Sequence, residues 1–242
     1  MQISQRPSPN FDSRNGTAVD ILLLHYTGMT SAAAALARLA DPAARVSAHY
    51  VVDEDGSVVQ MVDEAARAWH AGVASWAGAT DINARSVGIE IVNPGHEFGY
   101  RPFPPAQIAS VIAVSKAIVQ RHGIVPQRVL AHSDVAPDRK TDPGELFPWA
   151  ELARAGIGLW DPDTCGAPPS GAAAREDGET VRAVQSALAR FGYGLAVSGK
   201  WDAASRTVFT AFQRHFHPAA IGTGAEGMPD AASRARQTRS SL

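Results

Sequence analysis

Cysteine is almost absent from this chain, because Cys165 is the only one among its 242 residues. One cysteine cannot form an internal disulfide, so we expect a chain of this length to rely on its hydrophobic core for stability. No apolar run approaches the roughly 20 residues that a membrane-spanning helix requires, which argues against membrane insertion. The net charge is only −2, which gives no electrostatic reason to expect nucleic acid as a partner.

The sequence also has no recognisable signal peptide. Arg6 is not followed by the apolar segment that a secretory signal requires. We therefore expect a cytoplasmic protein, and a periplasmic location would require another route of export. We also expect a monomer.

Strand and helix patterns alternate along the first 160 residues. A helix over residues 104–122 is indicated by an apolar stripe that ends before Gly123. Asp55-Gly56 stands between two strand-like runs, which predicts a β-hairpin. Together these patterns predict an α/β fold with a mixed central sheet flanked by helices. Strands are expected at residues 21–26, 48–53, 57–62, 86–93 and 129–131, and further helices at residues 32–40 and 147–155.

The composition changes after residue 160, so we expect a first domain over residues 1–160. Residues 161–177 are rich in Pro, Gly and Ser and show no apolar periodicity, which predicts a linker. Two amphipathic helical patterns follow, and they predict a small all-α helical module over residues 178–238. Its apolar stripe can form a core within the module or cover the first domain. The sequence leaves both arrangements open.

Residues 131–144 read AHSDVAPDRKTDPG and begin where a strand-like run ends. His132 stands at the end of that strand, and prolines and a glycine keep the following segment out of regular structure. The segment also carries Lys140 and Asp142. A stiff loop with this set of side chains suits a metal site better than a packed core.

His25 stands in the same way at the end of the first buried strand. With His132 and Asp142 it forms a three-ligand set that leaves a fourth position for water, which is the arrangement of a catalytic zinc. The alternative interpretation is that the two histidines are ordinary polar residues at strand ends.

Three further polar residues are candidates for the same site. Glu90 lies within an apolar strand, where a carboxylate is costly unless it has a partner. A general base would explain its position, and an exposed edge strand is the alternative. His49 lies on another predicted strand and can face either the cleft or the core. His70 lies in a loop of small residues, where we expect an exposed ring that contacts a ligand.

Four motifs in this order resemble the zinc-dependent N-acetylmuramoyl-L-alanine amidases of the type 2 family, in the branch that includes the muropeptide-recycling amidases. The motifs are LLLHYTGM at 22–29, RAWHAG at 67–72, GIEIVNPG at 88–95 and AHSDVAPDRKTDPG at 131–144. The resemblance covers residues 7–155. It implies hydrolysis of the amide between N-acetylmuramic acid, or its 1,6-anhydro form, and L-alanine of the peptidoglycan stem peptide.

The resemblance also implies roles for individual residues. One zinc per chain would be held by His25, His132 and Asp142, with Glu90 as the catalytic glutamate and Lys140 supporting the transition state. We expect two further residues, His70 and Asn93, at the wall of the cleft as substrate contacts. A non-catalytic protein that recognises muropeptides is the alternative, but it would be expected to lack a zinc ligand.

The second module resembles the three-helix peptidoglycan-binding domain. The resemblance rests on VQSALARFGYG at 184–194 and TVFTAFQRHF at 207–216, with only residues 229–236 available for a third helix. A wall-binding module favours intact peptidoglycan as substrate, whereas the missing signal peptide favours cytoplasmic recycling of soluble muropeptides. The sequence leaves this choice open.

Overall fold

The computed structural model describes residues 2–160 and 178–229. The predicted linker over residues 161–177 and nearly all of the expected third helix lie outside these ranges. Within the described ranges, none of the helices combines the length and the apolar character needed to cross a bilayer.

The strands confirm the predicted mixed α/β fold. They are β1 (Ile3–Gln5), β2 (Phe11–Ser13), β3 (Ile21–Tyr26), β4 (Tyr50–Val52), β5 (Val58–Gln60), β6 (Ala66–Ala68), β7 (Ser86–Ile91) and β8 (Val129–Ala131). Six of them form one sheet in the order β1-β5-β4-β7-β3-β8, and β2 pairs with β6 separately. β4, β7, β3 and β8 run parallel, whereas β4 and β5 form the predicted antiparallel hairpin. The two short strands β1 and β2 are exposed, so no apolar pattern predicted them.

Five helices lie close to their predicted positions, whereas three helices of four residues each were not predicted. They are α1 (Ala32–Ala40), α2 (Ile82–Arg85), α3 (Gly95–Phe98), α4 (Pro105–His122), α5 (His132–Val135), α6 (Trp149–Arg154), α7 (Gly178–Phe191) and α8 (Ala203–Phe216). The hydroxyl of Ser31 accepts a hydrogen bond from the backbone of Ala34 and so caps α1. α4 ends at His122 and is capped by Gly123, whose φ of 64° lies in the left-handed region.

The two faces of the main sheet are covered by different elements. On one face, Leu22 and Leu24 join a buried cluster with the apolar stripe of α4. On the other face, Ile21 and Leu23 join a buried cluster that includes apolar side chains of α7 and α8, among them Val184, Phe209 and Phe212. The C-terminal helices therefore share a core with the sheet and do not only pack on one another.

Helix α1 covers another part of the sheet face on which the C-terminal helices pack. Leu39 of α1 packs with Val51, Met61 and Val92 in a third buried cluster. Val51 is the register partner of Glu90, and Glu90 is the partner of His25. The histidine and the glutamate therefore lie on the face that α1 and the C-terminal helices cover.

Candidate active site

The candidate site lies at the carboxyl ends of three adjacent parallel strands. His25 near the end of β3 is paired with Glu90 of β7, so both side chains point to the same face. On the other side of β3, Ala131 of β8 is the partner of Leu24. His132 follows Ala131 directly and begins α5, which brings it level with His25. The sequence pattern predicts the two histidines at strand ends, but only the strand order makes them neighbours.

His25, His132 and Asp142 form what we call the metal cluster. The Nδ1 atoms of the two histidines are 2.9 Å apart, and the Oδ2 atom of Asp142 lies 3.1 Å and 3.0 Å from them. Three ligands of a tetrahedral zinc, each about 2.0–2.1 Å from the ion, are about 3.3 Å from one another. The three atoms therefore converge as a zinc site requires, to within a few tenths of an ångström. All three residues are buried.

The tautomer of His132 follows from its outer nitrogen. Its Nε2 lies 3.0 Å from the carbonyl oxygen of Ala71, which can only accept a hydrogen bond. Nε2 therefore carries the proton and donates it, and Nδ1 of the neutral ring presents a lone pair to the cluster. This is the arrangement by which outer hydrogen bonds orient metal-binding histidines.

The tautomer of His25 follows from a longer chain of hydrogen bonds. The hydroxyl of Ser86 donates to the carbonyl of Ile82 at 2.7 Å, so it accepts from Nε2 of His70 at 3.2 Å. Nδ1 of His70 is then an acceptor, and it lies 3.0 Å from Nε2 of His25. His25 must donate there, which leaves its own Nδ1 with a lone pair. Burial and the neighbouring His132 lower the pKa of His25 to about 4 and so favour this neutral form.

Two imidazole lone pairs and a carboxylate oxygen thus face one point at contact distance. With both rings neutral, no hydrogen remains between the two nitrogens, so the three atoms repel one another unless a cation lies between them. A carboxylate must be ionised to serve as a metal ligand, and a cation at this point would favour the ionised form of Asp142. The donor set fits a bound divalent metal ion.

The loop that carries Asp142 is fixed by hydrogen bonds from outside it. The backbone N–H of Ser133 donates to the carbonyl of Asp142 at 3.0 Å, which joins the two ligand-bearing segments. The hydroxyl of Tyr26 lies 3.0 Å from the hydroxyl of Thr141, and the hydroxyl of Tyr100 donates to the carbonyl of Pro143 at 2.8 Å. A ligand held by a rigid loop needs little reorganisation when a metal binds.

Glu90 and Lys140 lie beside the metal cluster. Both border a cleft of about 370 Å³ that also contacts His132 and Asp142. One carboxylate oxygen of Glu90, Oε2, is cut off from solvent and has no hydrogen-bond partner in the described part of the chain. Burial and then the Asp142 carboxylate raise the pKa of Glu90 well above its usual range, while Lys140 lowers it. A half-buried carboxyl group with one unused, solvent-inaccessible oxygen and a raised pKa suits proton transfer.

Three other residues were predicted near the site, namely His49, His70 and Asn93, and each lies in a different environment. His49 faces the core: it is 0% exposed, and its Nδ1 accepts a hydrogen bond from the backbone of Gly88 at 2.9 Å. The expected exposure of His70 is wrong, because it is only 8% exposed and its ring lies behind His25, but it does border the cleft. Asn93 is 0% exposed, and its amide bonds to the backbone of Arg101 and Gly95. Its side chain therefore stabilises the loop after β7, and a substrate contact of Asn93 stays a prediction.

Several residues that support the site have no recognisable pattern in the sequence. Ser86 holds His70, and the side-chain carbonyl of Asn83 accepts from the backbone of both His70 and Ala71. Arg139 donates to the carbonyls of Ala71 and Val73, which ties the loop after β6 to the loop carrying the ligand. Their partners are backbone groups or residues distant in sequence, so no local pattern identified them.

Comparison with known proteins agrees with this geometry. A family model described as N-acetylmuramoyl-L-alanine amidase matches residues 15–145, which is more than half of the chain. The chain belongs to this family. It is an enzyme, an N-acetylmuramoyl-L-alanine amidase, and the alternative of a non-catalytic recognition protein is set aside.

Individual relatives extend the comparison. The amidase is 38% identical over 213 residues to N-acetylmuramoyl-L-alanine amidase AmiD of Escherichia coli (strain K12), covering 83% of this chain and 75% of AmiD. It is 39% identical over 108 residues to 1,6-anhydro-N-acetylmuramyl-L-alanine amidase AmpD of the same organism, covering 45% of this chain and 57% of AmpD. The similarity to AmiD thus reaches beyond the family match.

Solved structures share the fold of the amidase over most of its length. A complex of AmiD from E. coli with anhydro-N-acetylmuramic acid-L-Ala-D-γ-Glu-L-Lys superposes with a TM-score of 0.76 at 35% identity, covering 96% of this chain and 91% of AmiD. AmpDH3 from Pseudomonas aeruginosa superposes with a TM-score of 0.73 at 30% identity, covering 96% of this chain and 93% of that one.

Proposed function

We propose that this amidase uses one zinc ion to hydrolyse the amide between N-acetylmuramic acid, or its 1,6-anhydro form, and L-alanine of a peptidoglycan stem peptide. The observation that carries the proposal is the convergence of two imidazole lone pairs and a carboxylate oxygen beside Glu90. The choice of substrate is supported by AmiD, whose solved complex contains an anhydro-muramyl peptide described as its substrate.

Zinc is the metal that this donor set favours. Imidazole nitrogens suit zinc and a carboxylate completes its ligand set, whereas magnesium and calcium prefer oxygen ligands throughout. Three protein ligands leave one position open, as in catalytic zinc sites. Both histidines donate their outer N–H to fixed acceptors, His70 and the carbonyl of Ala71, which holds the rings in place for the ion.

Residues of the chain would transfer the proton and stabilise the negative charge that develops during the reaction. Zinc, when bound, would act as a Lewis acid that lowers the pKa of a water ligand to about 7. Glu90 would accept the proton of the attacking water and deliver it to the departing alanine nitrogen. The ammonium group of Lys140 would stabilise negative charge on the former carbonyl oxygen, a contribution typically worth about 3 kcal/mol.

The test combines metal analysis with hydrolysis of a soluble anhydro-muramyl tripeptide. We expect one zinc per chain, loss of hydrolysis on chelation, and recovery when zinc is restored. Glu90→Gln should retain zinc and lose turnover, whereas Glu151→Gln, which changes an exposed glutamate, should behave as wild type. An active preparation without stoichiometric zinc would refute the proposed metal.

We also propose that the C-terminal region, expected over residues 178–238, binds peptidoglycan. The support is its resemblance to peptidoglycan-binding domains and the extent of the similarity to AmiD, which covers 83% of this chain. Sedimentation of the protein with purified sacculi tests this binding. Parallel assays on sacculi and on soluble anhydro-muropeptide would decide between wall cleavage and muropeptide recycling.

A further inference from the structure

The carboxylate of Asp134 is buried where the C-terminal helices meet the catalytic region. Its side chain is 0% exposed. One oxygen, Oδ1, accepts from the hydroxyl of Tyr193 at 2.6 Å, and Oδ2 accepts from Nδ1 of His215 at 2.7 Å and from the backbone of Ala131 at 2.8 Å. A buried carboxylate is tolerated only when its oxygens are satisfied. Two of the three donors belong to the C-terminal region.

Both C-terminal donors are held firmly in place. The ring of His215, on α8, stacks on Trp149 with 3.6 Å between ring centroids, and it is 1% exposed. Tyr193, just after α7, packs against Trp76 with 4.9 Å between centroids. Burial and then the Asp134 carboxylate raise the pKa of Tyr193 well above its usual range, so the phenol remains a donor.

Asp134 in turn determines the start of α5, the short helix that begins with His132. Asp134 is the third residue of this helix, and its side chain accepts a hydrogen bond from the backbone N–H of Ala131, the residue just before the helix. The next residue, Ser133, donates its N–H to the carbonyl of Asp142. The side chain of Asp134 therefore fixes the backbone next to His132 and, through Ser133, the backbone of Asp142. It contacts neither of these two side chains directly.

We propose that Tyr193 and His215 are positioning residues of the metal centre, through which the C-terminal helices hold Asp134 and thereby the two ligands His132 and Asp142. The C-terminal region would then be required for metal binding and for turnover of small substrates, apart from any role with polymeric peptidoglycan. This inference rests on the metal site proposed above.

The test compares zinc affinity among full-length variants, measured by competition with a chromophoric chelator. Tyr193→Phe removes only the hydroxyl, and His215→Phe removes the donor while retaining a stacking ring. His215→Asn restores a donor near the position of Nδ1. Trp201→Phe is the matched control, because it breaks the bond from Trp201 to the carbonyl of Gly227 within the C-terminal region and leaves Asp134 untouched. The melting temperature of each metal-free variant is measured alongside.

We expect Tyr193→Phe and His215→Phe to weaken zinc binding by about 10-fold, the lower end of the range for residues that support metal ligands. His215→Asn should recover most of this loss. Trp201→Phe should lower the melting temperature and leave zinc affinity unchanged. At saturating zinc, the kcat for a soluble muropeptide should fall in the first two variants only.

Two results would overturn the inference. One is zinc affinity equal to wild type in both Tyr193→Phe and His215→Phe. The other is zinc affinity that follows melting temperature in all four variants, the control included, because that would indicate a general loss of stability. If the wild-type protein itself binds no zinc, the proposed function fails and not only this inference.

Discussion

One methyl group added at Gly88 should impair the metal site without altering a ligand. Gly88 lies on β7 and faces the ring of His70. A Cβ atom at this position would lie 2.5 Å from Nδ1, 2.6 Å from Cγ and 2.7 Å from Cε1 of that ring. Because ordinary van der Waals contacts of a Cβ atom begin near 3.4 Å, the ring would have to move away by about 0.9 Å in Gly88→Ala. Nδ1 is also the acceptor for His25.

The expected magnitude has two parts. Overpacking of this kind typically costs about 1–3 kcal/mol of unfolding free energy. Displacement of His70 also removes the acceptor that fixes the tautomer of His25, and loss of such a bond typically weakens metal binding by about 10–100-fold. Zinc affinity should therefore fall at least about 10-fold in Gly88→Ala, and urea unfolding of the metal-free protein should shift to lower concentration.

Two further variants separate steric conflict from other effects. Gly224→Ala adds the same methyl group where no atom lies within 4 Å, and it should match wild type in both assays. In the double variant Gly88→Ala/His70→Ala the ring that the methyl group meets is gone, so the combined loss of stability should be smaller than the sum of the single losses. Wild-type zinc affinity in Gly88→Ala, or strictly additive losses in the double variant, would show that His70 does not link this strand to the ligand.

Three other outcomes are expected. Glu90→Gln should keep zinc and lose turnover by about 10²–10⁴-fold if its role is proton transfer, whereas His25→Ala should lose the metal; near-normal turnover in Glu90→Gln would assign the glutamate a structural role. Truncation after residue 160 should lower the melting temperature and the activity on sacculi and soluble muropeptide together, because the C-terminal helices share a buried cluster with the sheet; loss on sacculi alone would mean that these helices act only as a tether. Burial and then Arg14 lower the pKa of His49 in the folded protein to about 3. Below the unfolded pKa of about 6.5 the unfolded chain therefore binds one more proton than the folded protein, and stability decreases as the pH decreases. From pH 7 to pH 5 this amounts to about 2 kcal/mol, and urea unfolding at both pH values should show a smaller decrease in His49→Asn; an equal decrease in both proteins would contradict the assignment.

Residue pattern alone predicted most of the secondary structure. The limits of α1, with its Ser31 cap, and of α4, with Gly123 beyond its end, depend on bonds between residues a few positions apart. The hairpin around Asp55-Gly56 is local in the same sense. The exposed strands β1 and β2 were missed, because their partners are β5 and β6 and nothing in their own residues requires a strand.

The identity of the candidate metal ligands was also available from sequence. His25, His132 and Asp142 stand at strand ends or in a stiff loop within motifs of the family, so residue type and position predicted them without coordinates. Glu90 was distinguished by the cost of a carboxylate in an apolar strand. These inferences needed only the chemistry of single residues and their neighbours along the chain.

The supporting contacts were decided by tertiary structure alone. His70 was expected at the surface but lies buried behind His25. Its ring fits there because Gly88 of β7 has no side chain that would collide with it. Asp134, 81 residues before His215, gave no sign that it would meet that side chain. Local sequence determines which backbone conformations are favourable and which side chains can bind a metal. Whether a buried polar group finds its partner depends on strand order and on helix packing, which join residues far apart in the chain.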